Sequence, residues 1–329
     1  MLDVITIGSA SIDIFFITKR GRVFSDPSTI DGKLVAFSLG AKISIEDAHI
    51  SDGGGALNAA TCFARLGLKV APHISIGQDE LGQYILTELV KEGVDSKHVW
   101  MDERLRTGTA VILIPEGQGD RTVLFYSGAN RDMQIRDWHK LEDTKWIYMG
   151  PITRQKPSLP RQIVEFANSK SIKIANNPGI GQIENGFDYM APILKGLDVL
   201  VLNRFEAALL LKSKDPNSDA SNIHNIIREL IKTGPKIVVV TSGPEGSYAS
   251  DGKEIYFQES IKTEVLDATG AGDAYGSTFV ASLIKGYDIQ SAMLIAAINS
   301  ASVVSKIGAQ EGLLRPDEIG SKTSTRIIW

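Results

Sequence analysis

The run Asp267-Ala268-Thr269-Gly270-Ala271-Gly272-Asp273-Ala274-Tyr275-Gly276-Ser277-Thr278-Phe279 packs glycines, an acid and a helix start into one short stretch. Gly270 and Gly272 let the main chain approach a ligand with no side chain between them. From Ala274 onward, Phe279, Val280, Leu283 and Ile284 are apolar at roughly helical spacing, which puts Gly270 to Asp273 at a helix N-terminus. Such an end carries unpaired N–H groups and partial positive charge, and suits phosphate. Asp273 in the first turn has two readings. It can cap the helix or complement its dipole, or it can take a proton from a substrate hydroxyl beside an anion hole. The second reading is phosphoryl transfer, with amides and a metal holding the charge of the transferring group. The chain has no GxxxxGK[ST] sequence and no glycine fingerprint after its first strand, so neither a Walker loop nor a dinucleotide site is expected.

Other residues able to do chemistry fall where strands end. Residues 4–7 read as a buried strand, and Asp13 follows near the carboxyl edge, where open α/β sheets bind ligands; the alternative is a turn cap. Asp52-Gly53-Gly54-Gly55 runs into an amphipathic helix that carries Asn58 and Cys62 and stops at Gly67, either as a plain loop or as a place where a ligand meets the backbone. Asn177 follows the strand at 172–175, as an Asn-Pro turn or a site residue. Asn203 and Glu206 follow the strongly apolar strand at 198–202, one helical turn apart, in the pattern of a capping box. Thr241-Ser242-Gly243-Pro244-Glu245-Gly246 leaves the strand at 237–241 with residues a hairpin turn also favours. A last helix over 292–306 is rich in small residues and includes Asn299.

Strands alternating with helices predict a parallel α/β sheet. Residues 14–18 and 33–50 break that rhythm, as does a hairpin of 109–114 and 121–126 joined through 115–120. These segments predict a small β lid able to exclude water, with apolar outer positions that could seat a second copy in a homodimer.

In order and spacing, the 267–279 run, the glycine cluster with Asn58, the Asn203…Glu206 pair and the Thr241 loop resemble the ribokinase-like or PfkB family of sugar and nucleoside kinases. The resemblance spans Asp13 to Gly308. It implies a three-layer α/β sandwich, a central mainly parallel sheet flanked by helices plus a β-sheet lid, with 1–329 as one kinase domain and lid segments at about 14–50 and 109–127. It implies Asp273 as base, and the backbone of Gly270, Ala271 and Gly272 as anion hole. By the same resemblance Asp13, Gly53, Gly54 and Asn58 bind substrate, and Asn177, Asn203, Thr241, Gly243, Gly246 and Asn299 lie near ATP. Glu206 would organise Mg²⁺, through water, since Mg²⁺ keeps much of its hydration and meets few carboxylates. Asp267 and Thr269 lie where some members hold a monovalent cation such as K⁺.

The implied reaction moves the ATP γ-phosphoryl group to a hydroxymethyl group of a small sugar. A nucleoside acceptor would use aromatic residues, for which Phe15, Phe16, Phe37 and Tyr126 are available. A sugar phosphate would call on cations such as Lys33, Lys42 and Arg131. A non-catalytic regulatory module on the same fold is the reading from another class.

Composition narrows the partners. With 329 residues, 43% of them hydrophobic, the chain can bury a sizeable core. A net charge of −4 from 35 basic and 39 acidic residues, without a dense Lys/Arg block, argues against nucleic acid. No leader-like or membrane-spanning run is evident, so a cytoplasmic protein is expected. Cys62 reads as a buried structural thiol. His49, His73, His98, His139 and His224 are scattered without zinc-ligand spacing and are assigned no chemistry.

Overall fold

Short apolar runs form an eight-stranded sheet in a computed structural model that describes residues 1–26, 32–115, 121–153 and 155–322. From one edge the strands are Ile255–Gln258, Ser247–Ser250, Ile237–Thr241, Val199–Asn203, Lys173–Asn176, Thr144–Met149, Leu2–Ile7 and Val70–His73. Pairing is parallel except at the first two, which double back as antiparallel strands. Side chains alternate between faces along each strand, and both faces are covered. Val199 and Val201 join the core under helices Gly55–Arg65, Glu80–Lys91, Ala271–Ile284 and Ile289–Val304, while Leu200 and Leu202 join the core under Leu159–Ser169, Phe187–Leu194, Arg204–Lys214 and Ile223–Ile231. This is the expected sandwich. Cys62 is fully buried in the first of these cores, and burial pushes its thiol pKa up.

A separate four-stranded sheet orders Thr122–Tyr126, Thr109–Pro115, Ser11–Thr18 and Asp47–Gly53, with its central pair parallel. Its own core is Phe15, Ala110 and Ile112 against Ile114 and Ile307. At one edge Val123, Leu124, Phe125 and Tyr126 are exposed in succession. The segment read as strand-like over 33–50 is two strands, Lys33–Ala36 and Asp47–Gly53, because the stretch between them turns between Ser38 and Ala41 and makes only scattered bonds to Ile17, Thr18 and Lys19 instead of a strand ladder. Lys33–Ala36 instead pairs with Arg22–Ser25, a strand not anticipated. The first strand of the small sheet begins at Ser11, so Asp13 is a strand residue in register with Ser51 and Ala110, and the turn-cap reading fails. Of the 115–120 connection, residues 116–120 lie outside the described residues.

The chain passes between the two sheets at Ala10, Gly108 and the Ser127–Asn130 segment, and Asn130 ties the first to the last while packing against Gly108. Its Oδ1 accepts from Ala10 N at 3.0 Å, and its Nδ2 donates to Ala10 O at 2.8 Å and Ser127 O at 3.0 Å. A Cβ on Gly108 would sit 2.4 Å from that amide nitrogen, so the crossing needs glycine.

Candidate active site

The loop before helix Ala271–Ile284 is fastened by Asp267. Its Oδ1 accepts from Thr269 N at 2.9 Å and Thr269 Oγ1 at 2.7 Å, and its Oδ2 accepts from Gly308 N at 3.1 Å. Gly270 is the helix N-cap at φ 76°, a left-handed conformation, and a Cβ there would lie 2.5 Å from Ala309 Cβ. The first-turn N–H groups of this helix, which have no intrahelical partners, are thereby held together as a cradle of the kind that suits an anion.

Asp273 sits in that first turn, half-buried. Asn58 Nδ2 donates to its Oδ2 at 2.8 Å, and Gln310 Nε2 donates to Asn58 Oδ1 at 3.0 Å. The second bond fixes which end of the Asn58 amide faces the acid. The other carboxylate oxygen faces Gly55, where a Cβ would come within 3.2 Å. Burial raises the Asp273 pKa, and the bond from Asn58 opposes that rise. Burial likewise pushes Asp13 up to about 6, opposed by a 2.9 Å bond from Ser11 Oγ and reinforced by the charges of Asp273 and Asp267. Gly53 lies against Asp13, since a Cβ there would come within 2.3 Å of its carboxyl group. Gly54, at φ 92°, caps helix Gly55–Arg65 with its Cα against Ser9 and Ala10. Thus Asp13, Gly53, Gly54, Asn58 and Asp273 converge at the carboxyl edge of the sheet.

On the other side of the cradle opens a cavity of about 680 Å³ bordered by Thr241, Gly243, Gly246, Ala271, Gly272 and Tyr275. It links the Thr241 loop to the first turn bearing Asp273. Asn177 Nδ2 reaches Gly272 O at 3.4 Å and Tyr148 OH at 3.3 Å, which places it at that turn. Asn203 pairs in register with Thr241, one strand away. Its Oδ1 accepts from Glu206 N at 2.9 Å while its own N donates to Glu206 Oε2 at 3.0 Å, a complete capping box. Burial pushes Glu206 up to about 7, and the charge of Asp273 adds to the rise.

Asn299 does not face this cavity. It is fully buried, with Nδ2 donating to Thr278 Oγ1 at 2.7 Å and Oδ1 accepting from Leu314 N at 2.8 Å. The cavity wall is formed by Ala297, Ser300, Ala301 and Val304 of the same helix. With 3.6 residues per turn, a neighbour in sequence points about 100° away. Phe15, offered for a nucleobase, is sealed in the small-sheet core. The reading missed Gln310 and the 259–265 segment along the cavity. The wall was detectable in principle from small residues at helical spacing, whereas a lone Gln carries no periodic signal.

Residues 28–315 match the pfkB family carbohydrate kinase. The chain belongs to this family. An uncharacterized sugar kinase of Archaeoglobus fulgidus is 30% identical over 261 residues, covering 77% of this chain and 98% of the relative. Arabidopsis thaliana ribokinase, solved with ribose and ATP, superposes with a TM-score of 0.80 at 21% identity, over 97% of this chain and 98% of that one. A Burkholderia thailandensis nucleoside kinase, solved with inosine, gives a TM-score of 0.79 at 18% identity, over 97% of each chain. The two structures establish the shared fold, and the family makes this PfkB chain a kinase of the sugar and nucleoside class.

For an enzyme of that class that uses Asp273 as its base, Gln310 would be a positioning residue, since it holds Asn58 and Asn58 holds the carboxylate. Replacing it with Met keeps volume and removes the donor to Asn58. Loss of one such bond, about 1.4 kcal/mol, is expected to lower kcat about tenfold. A freed Asn58 holds Asp273 less well in its ionised form, so the acid limb of the pH–rate profile should move to higher pH. A Gln310→Met enzyme with unchanged rate and profile would remove the residue from this role.

Proposed function

We propose that this PfkB protein transfers the γ-phosphoryl group of ATP to a hydroxymethyl group of a small sugar. The observation that carries the reading is the place of Asp273, bonded to Asn58 where the nucleotide-sized cavity meets the recess of Asp13 and Gly53. ATP would extend from Thr241, Gly243 and Gly246 to the cradle, with Asn177 and Asn203 beside its phosphates. The sugar would lie against the Gly53–Gly54 backbone, its hydroxyls bonded by Asp13 and Asn58. Asp273 removes the proton as the hydroxyl oxygen bonds to phosphorus and the bond to the ADP oxygen breaks. Amides of Gly270, Ala271 and Gly272 stabilise charge on the transferring group. The small sheet acts as the lid.

Mg²⁺ supplies charge neutralisation on the phosphates when bound. No three His, Cys, Asp or Glu groups converge as a metal cage among the described residues. That fits an ion carried mainly by phosphates and water, with Glu206 outside it. For a monovalent cation such as K⁺, Asp267 and Thr269 bond each other, so backbone carbonyls would have to supply further ligands.

Three successive glycines and a carboxylate favour a free sugar. The nucleoside reading is supported by the inosine-bound neighbour and by Phe16 and Tyr126, which keep exposed surface. ADP release with Mg²⁺, with and without K⁺, across free sugars, nucleosides and sugar phosphates tests the assignment. The expected result is a dominant free sugar, with Asp13→Asn raising its KM at least about tenfold, in line with a lost charged hydrogen bond. Turnover confined to nucleosides would transfer the assignment to them, and nucleotide binding without turnover on any acceptor would refute catalysis.

A further inference from the structure

A second cavity, of about 180 Å³, lies by the Val70–His73 edge strand, and none of its lining residues borders the larger one. Two of its walls are imidazoles. His98 is 8% exposed, and its Nε2 is buried without a hydrogen-bond partner. His73 donates through Nε2 to Gln134 O at 3.1 Å, which leaves Nδ1, also buried and unpartnered. The ring centroids are 6.4 Å apart. Buried polar atoms are rarely left without partners, so two on residues that line one small cavity require an account.

The charges around them supply it. Lys97, Arg136 and Lys140 line the same space. The Arg136 guanidinium lies 3.4 Å above the Trp100 ring centre, and neither Arg136 nor Lys140 has a carboxylate partner among the described residues. Of the nearby acids, Asp95 pairs with Lys97 at 3.2 Å, Asp137 lines the cavity while accepting from His139 N, and Asp102 feels the charge of Arg136, so three cations face one lining carboxylate. The imidazoles are therefore held neutral in a cationic recess. Burial lowers the pKa of His98 to about 4, with His73, Lys97 and Lys140 adding to the effect and Asp95 opposing it. Burial and Arg136 lower that of His73. Positive surroundings disfavour a metal ion here and favour an oxyanion.

We propose that this cavity binds a phosphoryl dianion, free phosphate or a phosphomonoester, with His73 and His98 donating to its oxygens and taking up protons on binding. His98 can donate from Nε2 as the neutral tautomer. His73, already donating from Nε2, can offer Nδ1 only when protonated. Arg136, braced on Trp100, presents its N–H edge, and Lys97 and Lys140 add charge. Binding must then tighten as pH falls, because the occupied site holds more protons than the empty one.

The test follows the imidazole resonances of His73 and His98 by NMR during titration with inorganic phosphate, sulfate and ribose 5-phosphate, against chloride of matched ionic strength. Saturable shifts of both rings are expected with the oxyanions, tightening at least about threefold from pH 8 to pH 6.5. Sulfate stays doubly charged across that range, so its pH dependence reports the protein alone. Ribose 5-phosphate binding more tightly than phosphate assigns a phosphomonoester, and equal binding assigns the free anion. The surface pair Arg136→Gln/Lys140→Gln should weaken binding about tenfold or more without unfolding the chain, and His73→Gln should abolish the pH dependence. Shifts matched by chloride, unsaturable shifts, or binding unaffected by the double substitution would overturn the proposal.

Discussion

Asp273→Asn should lower kcat by about 10²- to 10⁴-fold, the usual contribution of a positioned base, while nucleotide binding survives. The amide can still accept from Asn58 Nδ2 through its oxygen, so the Gln310–Asn58 chain and the fold are expected to persist. Thermal stability gives an independent check. Burial raises the Asp273 pKa, so its ionised form destabilises the folded protein at pH values above that pKa. Removing the charge should therefore leave Tm unchanged or higher near neutrality. In the parent enzyme kcat/KM should fall as pH drops through the raised pKa of Asp273, with Asp13, at about 6, titrating in the same limb. An Asp273→Asn enzyme with parental kcat would falsify the assignment of the base, and one with lower Tm and normal residual turnover would make the carboxylate structural.

Gly270→Ala should be a strongly damaging single methyl group in the site. The residue is left-handed at φ 76°, which costs an L-residue about 1–2 kcal/mol, and its Cβ would meet Ala309 Cβ at 2.5 Å and Cα at 2.6 Å. Backbone cannot yield as a flexible side chain does, so overpacking adds about 1–3 kcal/mol. The neighbours of Ala309 carry the strain inward: Gly308 N holds Asp267, and Gln310 holds Asn58. One substitution thus displaces both cradle and base. We expect a loss of about 10²- to 10³-fold in kcat, comparable to losing an oxyanion donor, together with a clear drop in Tm. Gly272→Ala is the control. A Cβ there meets nothing within 4 Å, so Tm should hold while nucleotide affinity falls, because Gly272 borders the larger cavity. Equal Tm for the two variants would show that Gly270 is not conformationally required.

What could be read in advance followed from strong local signals. Ile237 to Val240 is an uninterrupted apolar run, and the strand Ile237–Thr241 forms over the expected residues. The Asn203…Glu206 spacing announced a capping box, and the structure closes both of its bonds. For Asp13 only the turn-cap alternative fails, because a chain bend was expected soon after Gly8, whereas the strand that starts at Ser11 is specified by partners remote in sequence, Gly53 and Thr109. Asn299 failed for another reason. Its helix is buried around most of its circumference, from Ala292 to Asn299, so periodicity gives no face to choose. Gln310 was invisible because its role exists only through a bond to Asn58, far away in sequence.

The parallel pairing at the centre of the small sheet also sets an order of assembly. Ile12 meets Thr109, with helices Gly55–Arg65 and Glu80–Lys91 lying between them in the chain. Closing so large a loop costs entropy before any strand bond forms, and contacts of that separation form slowly. The anchoring strand Leu2–Ile7 must first find both neighbours, Thr144–Met149 and Val70–His73. A refolding chain would therefore regain its helices before it regains turnover, and the sheet that carries Asp13 would be the last piece home and the first to leave.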